Sequence, residues 1–306
     1  MHSYTINILH SSKIDHHKWD AKVSASPNGL IYSTTVYLNA ICDSWYGLIV
    51  NDYEVIAALP YRRKGFISYW YTPPFIQQLG FIGTINNELI AQLINVLKSK
   101  CAYGTILLNF KNELFAEIIA AQHKSNYILD LSQTFFTIRN GFRKDCQKNM
   151  EKSKQHKFEY TNTISFERAI DLYKLNHGKH LKNVAKKDYD NFKNLCTHLK
   201  ASEFKCFTRA ILNEEQQILA VVIIFGDNKR LYNILNTSTK EGKTKLSNHL
   251  LYSNIIKEFA EQHFIFDFEG SSIPGISEFY AGFGGKTEKY FTHHYNQLPF
   301  PLSLFN

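Results

Sequence analysis

Residues 204–235 constrain the fold of this chain more than any other stretch. Strand-length segments at 204–212, 218–225 and 230–235 follow one another, and Asn213-Glu214-Glu215 and Gly226-Asp227-Asn228 mark the joints. Turn-forming residues at that spacing make hairpins, so the stretch reads as an antiparallel meander. A helix is expected over 245–263, where Leu246, Leu250, Leu251, Ile255, Ile256 and Phe259 form an apolar stripe that must pack on the sheet. Phe264-Ile265-Phe266-Asp267-Phe268 then reads as a buried strand that breaks into the polar turn Glu269-Gly270-Ser271-Ser272-Ile273-Pro274-Gly275. By the period-two rule Asp267 and Glu269 point to one face at the strand's C-terminal end, where open α/β sheets put their ligands. The same pattern also fits a strand that simply stops at a turn, with one carboxylate capping the next helix.

The first half repeats this grammar. A strand over 4–9 precedes helices over 15–22 and 34–42; a hairpin of 45–50 and 54–59 and a strand over 67–71 follow, and Pro73-Pro74 ends that strand. A helix over 87–98, a strand over 105–110 and a weaker helix over 114–122 complete the half. The second half opens on a basic helix over 141–155 and helices over 165–177 and 188–199. Both halves therefore read as strand, two helices, antiparallel meander, helix, strand. The expected domains are 1–138 and 139–306, with the final strand able to pack back on the N-terminal domain.

A length of 306 residues leaves room for two ordinary domains. Hydrophobic residues at 44% and charged residues at 20% are globular values. The longest apolar runs, such as Leu219 to Phe225, fall far short of the roughly 20 residues of a membrane span. With no secretion signal evident after Met1, the cytoplasm is the expected compartment. The 5 cysteines are scattered and the 13 histidines lack metal-ligand spacing, so neither disulfides nor a metal are expected. A net charge of +8 favours a polyanionic partner: nucleic acid, a phosphate-bearing co-substrate or an anionic lipid surface.

The element order resembles the N-acetyltransferase (GNAT) fold in tandem, as in the Fem family of peptidyltransferases, which move amino acids from aminoacyl-tRNA to peptidoglycan precursors. Leu59-Pro60-Tyr61-Arg62-Arg63 with Tyr71-Thr72-Pro73-Pro74-Phe75-Ile76-Gln77-Gln78-Leu79-Gly80 is similar to the N-terminal half of bacterial Fem-like proteins. The segment with Asn140, Arg143, Lys144 and Lys148 is similar to the family's basic helix after the domain junction. Phe266-Asp267-Phe268-Glu269-Gly270-Ser271 with Gly282-Phe283-Gly284 resembles the closing module of the second unit. The resemblance implies an α/β (α+β) fold of two GNAT-like units, each a mixed, mostly antiparallel sheet flanked by helices. It also implies an N-acyltransferase using acyl-CoA or aminoacyl-tRNA as co-substrate, with no permanently bound cofactor and an amine-bearing small molecule or cell-wall precursor as acceptor. The chain departs from the family at Tyr280, where Fem transferases often carry lysine, and at Gly242, the one glycine kept from the coenzyme A loop.

Acyl transfer to an amine needs a phosphate anchor, a proton acceptor and an oxyanion donor. Gly242, Lys243, Thr244, Lys245 and Ser247 are candidates for the anchor, because they are expected at a helix start. Glu269 and Asp267 are candidate bases and Tyr280 a candidate acid. Tyr71, Gln77 and Gln78 offer neutral groups for an acceptor. Arg143, Lys144 and Lys148, with Lys152, put charge on one helix face opposite Phe142, Cys146 and Met150, a face suited to tRNA or a nucleotide-linked precursor. The other class of reading is a non-catalytic GNAT-like scaffold that binds RNA or an anionic precursor through this face.

Overall fold

A computed structural model describes residues 4–178, 181, 183–270 and 274–304. Ser271, Ser272 and Ile273 of the expected polar turn lie outside the described residues. The chain divides into two compact units, Met1–Lys124 with Lys289–Asn306, and Ser125–Glu288.

In the first unit β1 (Ile6–His10) pairs with β2 (Trp45–Val50), which forms a hairpin with β3 (Val55–Lys64). β3 also pairs with β4 (Ile67–Trp70) and β5 (Gly80–Ile82), all antiparallel. β6 (Tyr103–Leu108) runs parallel to β4 and antiparallel to the chain's last strand, β13 (Lys286–Asn296). Helices α1 (His16–Ala25), α2 (Thr35–Ile41), α3 (Asn87–Lys100) and α4 (Glu113–Ile118) complete the unit. Asp15 and Asn86 cap α1 and α3 by accepting a backbone N–H through their side chains. α3 turns Leu89, Ile90, Leu93 and Leu97 onto β-strand residues such as Leu48, Val55 and Phe81.

In the second unit β7 (Gln122–Asp130) contributes its C-terminal half. The helices are α5 (Phe135–Asn140), α6 (Lys144–Ser153), α7 (Phe166–His177), α8 (Lys186–Lys200), α9 (Lys240–Thr244), α10 (Ser247–Phe259) and α11 (Pro274–Gly282). The meander is β9 (Lys205–Leu212), β10 (Ile218–Gly226) and β11 (Arg230–Ser238), extended by β8 (Glu159–Thr161) beside β9. β12 (Ile265–Asp267) lies between β11, to which it is parallel, and β7, to which it is antiparallel. Leu219 through Phe225 are buried to within 1% of completely. Leu251, Tyr252, Ile255 and Ile256 of α10, with Cys146 and Met150 of α6, share one core with alternate residues of β10. All five cysteines are free and buried.

The structure corrects the expected outline at several points. The helix placed over 245–263 is shorter, α10 over Ser247–Phe259, because Leu246 takes a left-handed conformation (φ 59) that separates it from the short α9 before it. The weak helix over 114–122 stops at Ile118, where Ala120 (φ 52) turns the chain into β7. Strands β5 and β7 and helix α11 were not anticipated, nor were the bounds of β13.

Candidate functional site

The parallel strands β11 and β12 pair only as far as Tyr232 and Asp267, although β11 continues to Ser238. At the point of parting β11 carries a bulge: Ile223 faces Leu235 and Phe225 faces Tyr232, so Asn233 and Ile234 together oppose Ile224. A bulge bends its strand and interrupts the hydrogen-bond ladder, which opens the sheet where a ligand can enter. A cavity of about 430 Å³ occupies the gap. Asn233 and Thr237 of β11, Tyr173 and His177 of α7, Glu269 and Tyr280 are among the residues lining it.

Glu269 and Asp267 do not share a face. Asp267 is the last residue of β12, and Glu269 has a left-handed backbone (φ 58), so the period-two rule no longer applies to it. The Asp267 carboxylate accepts the Glu269 N–H at 3.0 Å and thereby holds that turn. It also accepts Asn126 Nδ2 at 2.9 Å and Arg230 Nη1 at 3.0 Å. Arg230 reaches Glu288 through both terminal nitrogens, at 2.9 and 2.8 Å. Burial opposes the Arg230 charge, but Glu288 and Asp267 hold it protonated. Burial raises the Asp267 carboxyl, and Arg230 pulls it back. Asp267 thus has no exposed surface and both of its oxygens engaged.

Glu269 is different. It lines the cavity, and its Oε1 is buried with no hydrogen-bond partner among the described residues. Burial pushes its carboxyl well above the usual range. Tyr280 of α11 stacks on Phe268, ring centroids 4.9 Å apart, and its ring lies edge-on to Tyr252 at 6.2 Å. Burial raises Tyr280 further, Tyr252 lowers it and the Glu269 charge raises it, so the phenol keeps its proton. Tyr252 of α10 is completely buried and accepts Asn233 Nδ2 at 2.7 Å. The arrangement places a carboxyl of raised pKa and a protonated phenol on one cavity. Asn233, Tyr252 and the bulge escaped the sequence reading. Asn233 could have been noticed as an amide inside an otherwise apolar strand.

The other candidates are distributed. Gly242 N–H is taken by Thr239 Oγ1 at 3.0 Å and Lys243 N–H by the Thr239 carbonyl at 2.9 Å. Thr244 Oγ1 donates to the Lys240 carbonyl at 3.1 Å and Lys245 pairs with Glu241 at 2.8 Å. Ser247 is buried with an unpartnered Oγ, and Lys243 lines the cavity. In the first unit the Tyr71 hydroxyl accepts the Asp43 N–H at 2.9 Å, and Gln78 Oε1 accepts the Phe110 N–H at 3.1 Å. Gln78 is fully buried and bonds the half-buried Gln77 at 2.9 Å. Arg143 pairs with Glu278. Lys144, Lys148 and Lys152 are exposed on α6, while Phe142, Cys146 and Met150 are buried. Among the described residues, none of those three lysines forms an ion pair.

No protein-family model matches the chain, and no curated protein matches it. Solved structures do. FemX superposes with a TM-score of 0.66 at 14% identity, over 95% of this chain and 98% of that one. L-PGS from Bacillus licheniformis gives 0.54 at 12% identity over 95% and 94%. A GCN5-related N-acetyltransferase from Sphaerobacter thermophilus gives 0.52 at 7% identity over 97% and 96%. The chain therefore has a tandem GNAT-like, Fem-like fold. Among the described residues no helix is long and apolar enough to cross a membrane.

Proposed function

We propose that the protein is an N-acyltransferase whose reaction centre is the cavity between β11 and β12. The observation that carries this reading is that Glu269, whose Oε1 is buried with no hydrogen-bond partner among the described residues, lines the same cavity as Tyr280. Glu269 takes the proton of the attacking amine as the N–C bond forms. Tyr280 donates to the developing oxyanion and then protonates the leaving oxygen or sulfur as the acyl bond breaks. Aminoacyl-tRNA is the favoured donor over acyl-CoA. Residues 242–245 use their N–H groups inside the fold, which weakens the case for a pyrophosphate cradle there. Lys243 is the remaining cation of that segment at the cavity. The acceptor is an amine-bearing small molecule or cell-wall precursor.

Transfer of a labelled aminoacyl or acyl group from tRNA or coenzyme A to amine acceptors tests the proposal. Glu269→Gln and Tyr280→Phe should each lower turnover about a hundredfold, the ordinary worth of a positioned acid or base. The rate should rise with pH as Glu269 ionises and fall as Tyr280 does. Full turnover in both variants would refute the assignment. The second reading, a scaffold binding RNA through α6, is favoured by one observation: exposed lysines at four-residue spacing with no ion-pair partner among the described residues repel one another.

A further inference from the structure

We infer that one end of the first unit is a membrane-surface contact. The β3–β4 hairpin and the tail after β13 bring phenylalanine and leucine side chains to the boundary of an anionic bilayer, and the arginine and lysines behind them bind the lipid phosphates. This surface belongs to the first unit and does not depend on the reaction assigned to the gap between β11 and β12.

The hairpin forms the tip. Trp45, the first residue of β2, faces Pro60, but β3 runs on to Lys64 with β4 as its partner. Lys64 faces Ile67, so Gly65 and Phe66 alone make the turn. Gly65 takes the left-handed position (φ 61) that a two-residue turn requires, and nothing lies within 4 Å of where its Cβ would stand. Phe66 is 81% exposed. Arg63 and Lys64, directly behind it, are exposed, and among the described residues neither forms an ion pair. Arg62, one residue further back, is held by Asp43 at 2.5 Å and lies over the Tyr71 ring.

Two more segments reach the same end. β4 is parallel to β6, with Trp70 facing Gly104, and the Tyr69 and Tyr103 rings are 6.1 Å apart. The residues that precede β4 and those that precede β6 therefore lie on one side of the sheet. Lys98 and Lys100 of the last turn of α3 are among them. β13 is antiparallel to β6, with Asn296 facing Tyr103, so the chain leaves β13 on that side as well. The Gln297 N–H donates to the Ala102 carbonyl at 2.7 Å, and Asn296 Nδ2 donates to the Ser303 carbonyl at 3.0 Å, which folds the tail back on the strand end. The tail exposes Phe300 (81%) and Leu304 (72%). Phe66 and Phe300 are the most exposed large hydrophobic residues among those described. Residues 61–70, 96–107 and 290–304 contain no aspartate or glutamate, so the side-chain charge of all three segments has one sign.

That combination fits a bilayer better than a nucleic acid. A phenylalanine on a turn with cations within roughly 10 Å behind it along the strand has the depth order of an interfacial anchor, ring at the acyl boundary and cations at the phosphates. Single-stranded RNA would need a charged groove that tracks its backbone beside the stacking rings. Here the apolar side chains stand on turns, beyond the cations, and Leu304 offers no face on which a base can stack.

Vesicles of phosphatidylcholine, and of phosphatidylcholine mixed with phosphatidylglycerol, test the contact. The full chain should sediment with the mixed vesicles and not with phosphatidylcholine alone, and less of it at high salt. Arg63→Gln and Lys64→Gln should each weaken vesicle affinity about fivefold, the worth of one basic residue near an anionic surface. Phe66→Ser should weaken it at least about tenfold, the worth of burying one such ring. Tm should stay unchanged in all three, since the side chains are exposed. Phe66→Trp reads insertion directly: Trp19, Trp45 and Trp70 are buried, so a blue shift of emission on adding mixed vesicles comes from position 66. Sedimentation with an unshifted Phe66→Trp emission and full affinity in Phe66→Ser would put the contact on another face, such as α6, and refute the assignment. Absence of sedimentation would refute it too. An emission that responds to deacylated tRNA and not to vesicles would overturn it in favour of RNA.

Discussion

Glu269→Gln separates a carboxyl held for chemistry from one held for stability. Glu269 Oε1 is buried and unpartnered, and burial raises its pKa well above the ordinary carboxyl range. The folded protein therefore keeps a proton on Glu269 at pH values where the unfolded chain, with a carboxyl near about 4.3, has lost it. In that window the native state binds more protons than the unfolded state, so stability falls as pH rises. One proton gives a slope of about 1.4 kcal/mol per pH unit. Glutamine has the same shape and does not titrate, so the variant escapes this fall. Near pH ~4 and below, the two proteins should melt together. Above it the variant should become the more stable, with the gap widening at that slope until Glu269 ionises in the folded state, and constant thereafter. Each kcal/mol corresponds to about 2–4 °C in Tm for a unit of this size. Scanning calorimetry of both proteins across this pH range measures the gap. Parallel stability curves would show that Glu269 ionises as an ordinary carboxyl, and its assignment as the base would go with them.

The triple change Lys144→Gln/Lys148→Gln/Lys152→Gln should weaken tRNA binding and reduce the slope of log affinity against log salt by about two to three, with Tm unchanged or slightly raised. An unchanged salt slope would remove α6 from any nucleic-acid face. Gly242→Ala should cost about 1–3 kcal/mol in chemical denaturation, because a Cβ there meets the Leu219 carbonyl oxygen at 2.1 Å, backbone that cannot easily move. A neutral result would refute the packing role of Gly242.

Elements whose burial is complete were legible in the sequence. The run Leu219 to Phe225, the α10 stripe and the hairpin joints all signal through apolar period and turn chemistry. What was not legible lacks that contrast. β7 reads Gln-His-Lys-Ser-Asn-Tyr-Ile-Leu-Asp and β13 carries Lys286, Glu288 and Lys289, so neither shows a buried face, although the Thr and Tyr content of β13 was a usable strand signal. The two carboxylates stand out in the sequence, but the difference in their surroundings does not. It depends on the left-handed backbone of Glu269 and on Arg230, a residue 37 positions away in the chain from Asp267. The bulge at Asn233 is a register shift between two strands, which exists only once both are paired.

The placement of Glu269 is costly twice over. A left-handed backbone costs a residue with a Cβ roughly 1–2 kcal/mol, and a glycine at the same position would avoid it. A buried acceptor without a partner costs about 1–3 kcal/mol more. Asp267, two residues earlier, shows that this strand end can satisfy a carboxylate completely, with Asn126, Arg230 and the Glu269 N–H around it. The fold thus has the means to neutralise a charge here, applies them to Asp267, and leaves Glu269 Oε1 without a partner among the described residues at the cavity wall. Local departures from the most stable choice concentrate where a site needs a group kept unsatisfied until substrate arrives. That asymmetry between two neighbouring carboxylates, more than the presence of either, is what supports the gap between β11 and β12 as the proposed reaction centre.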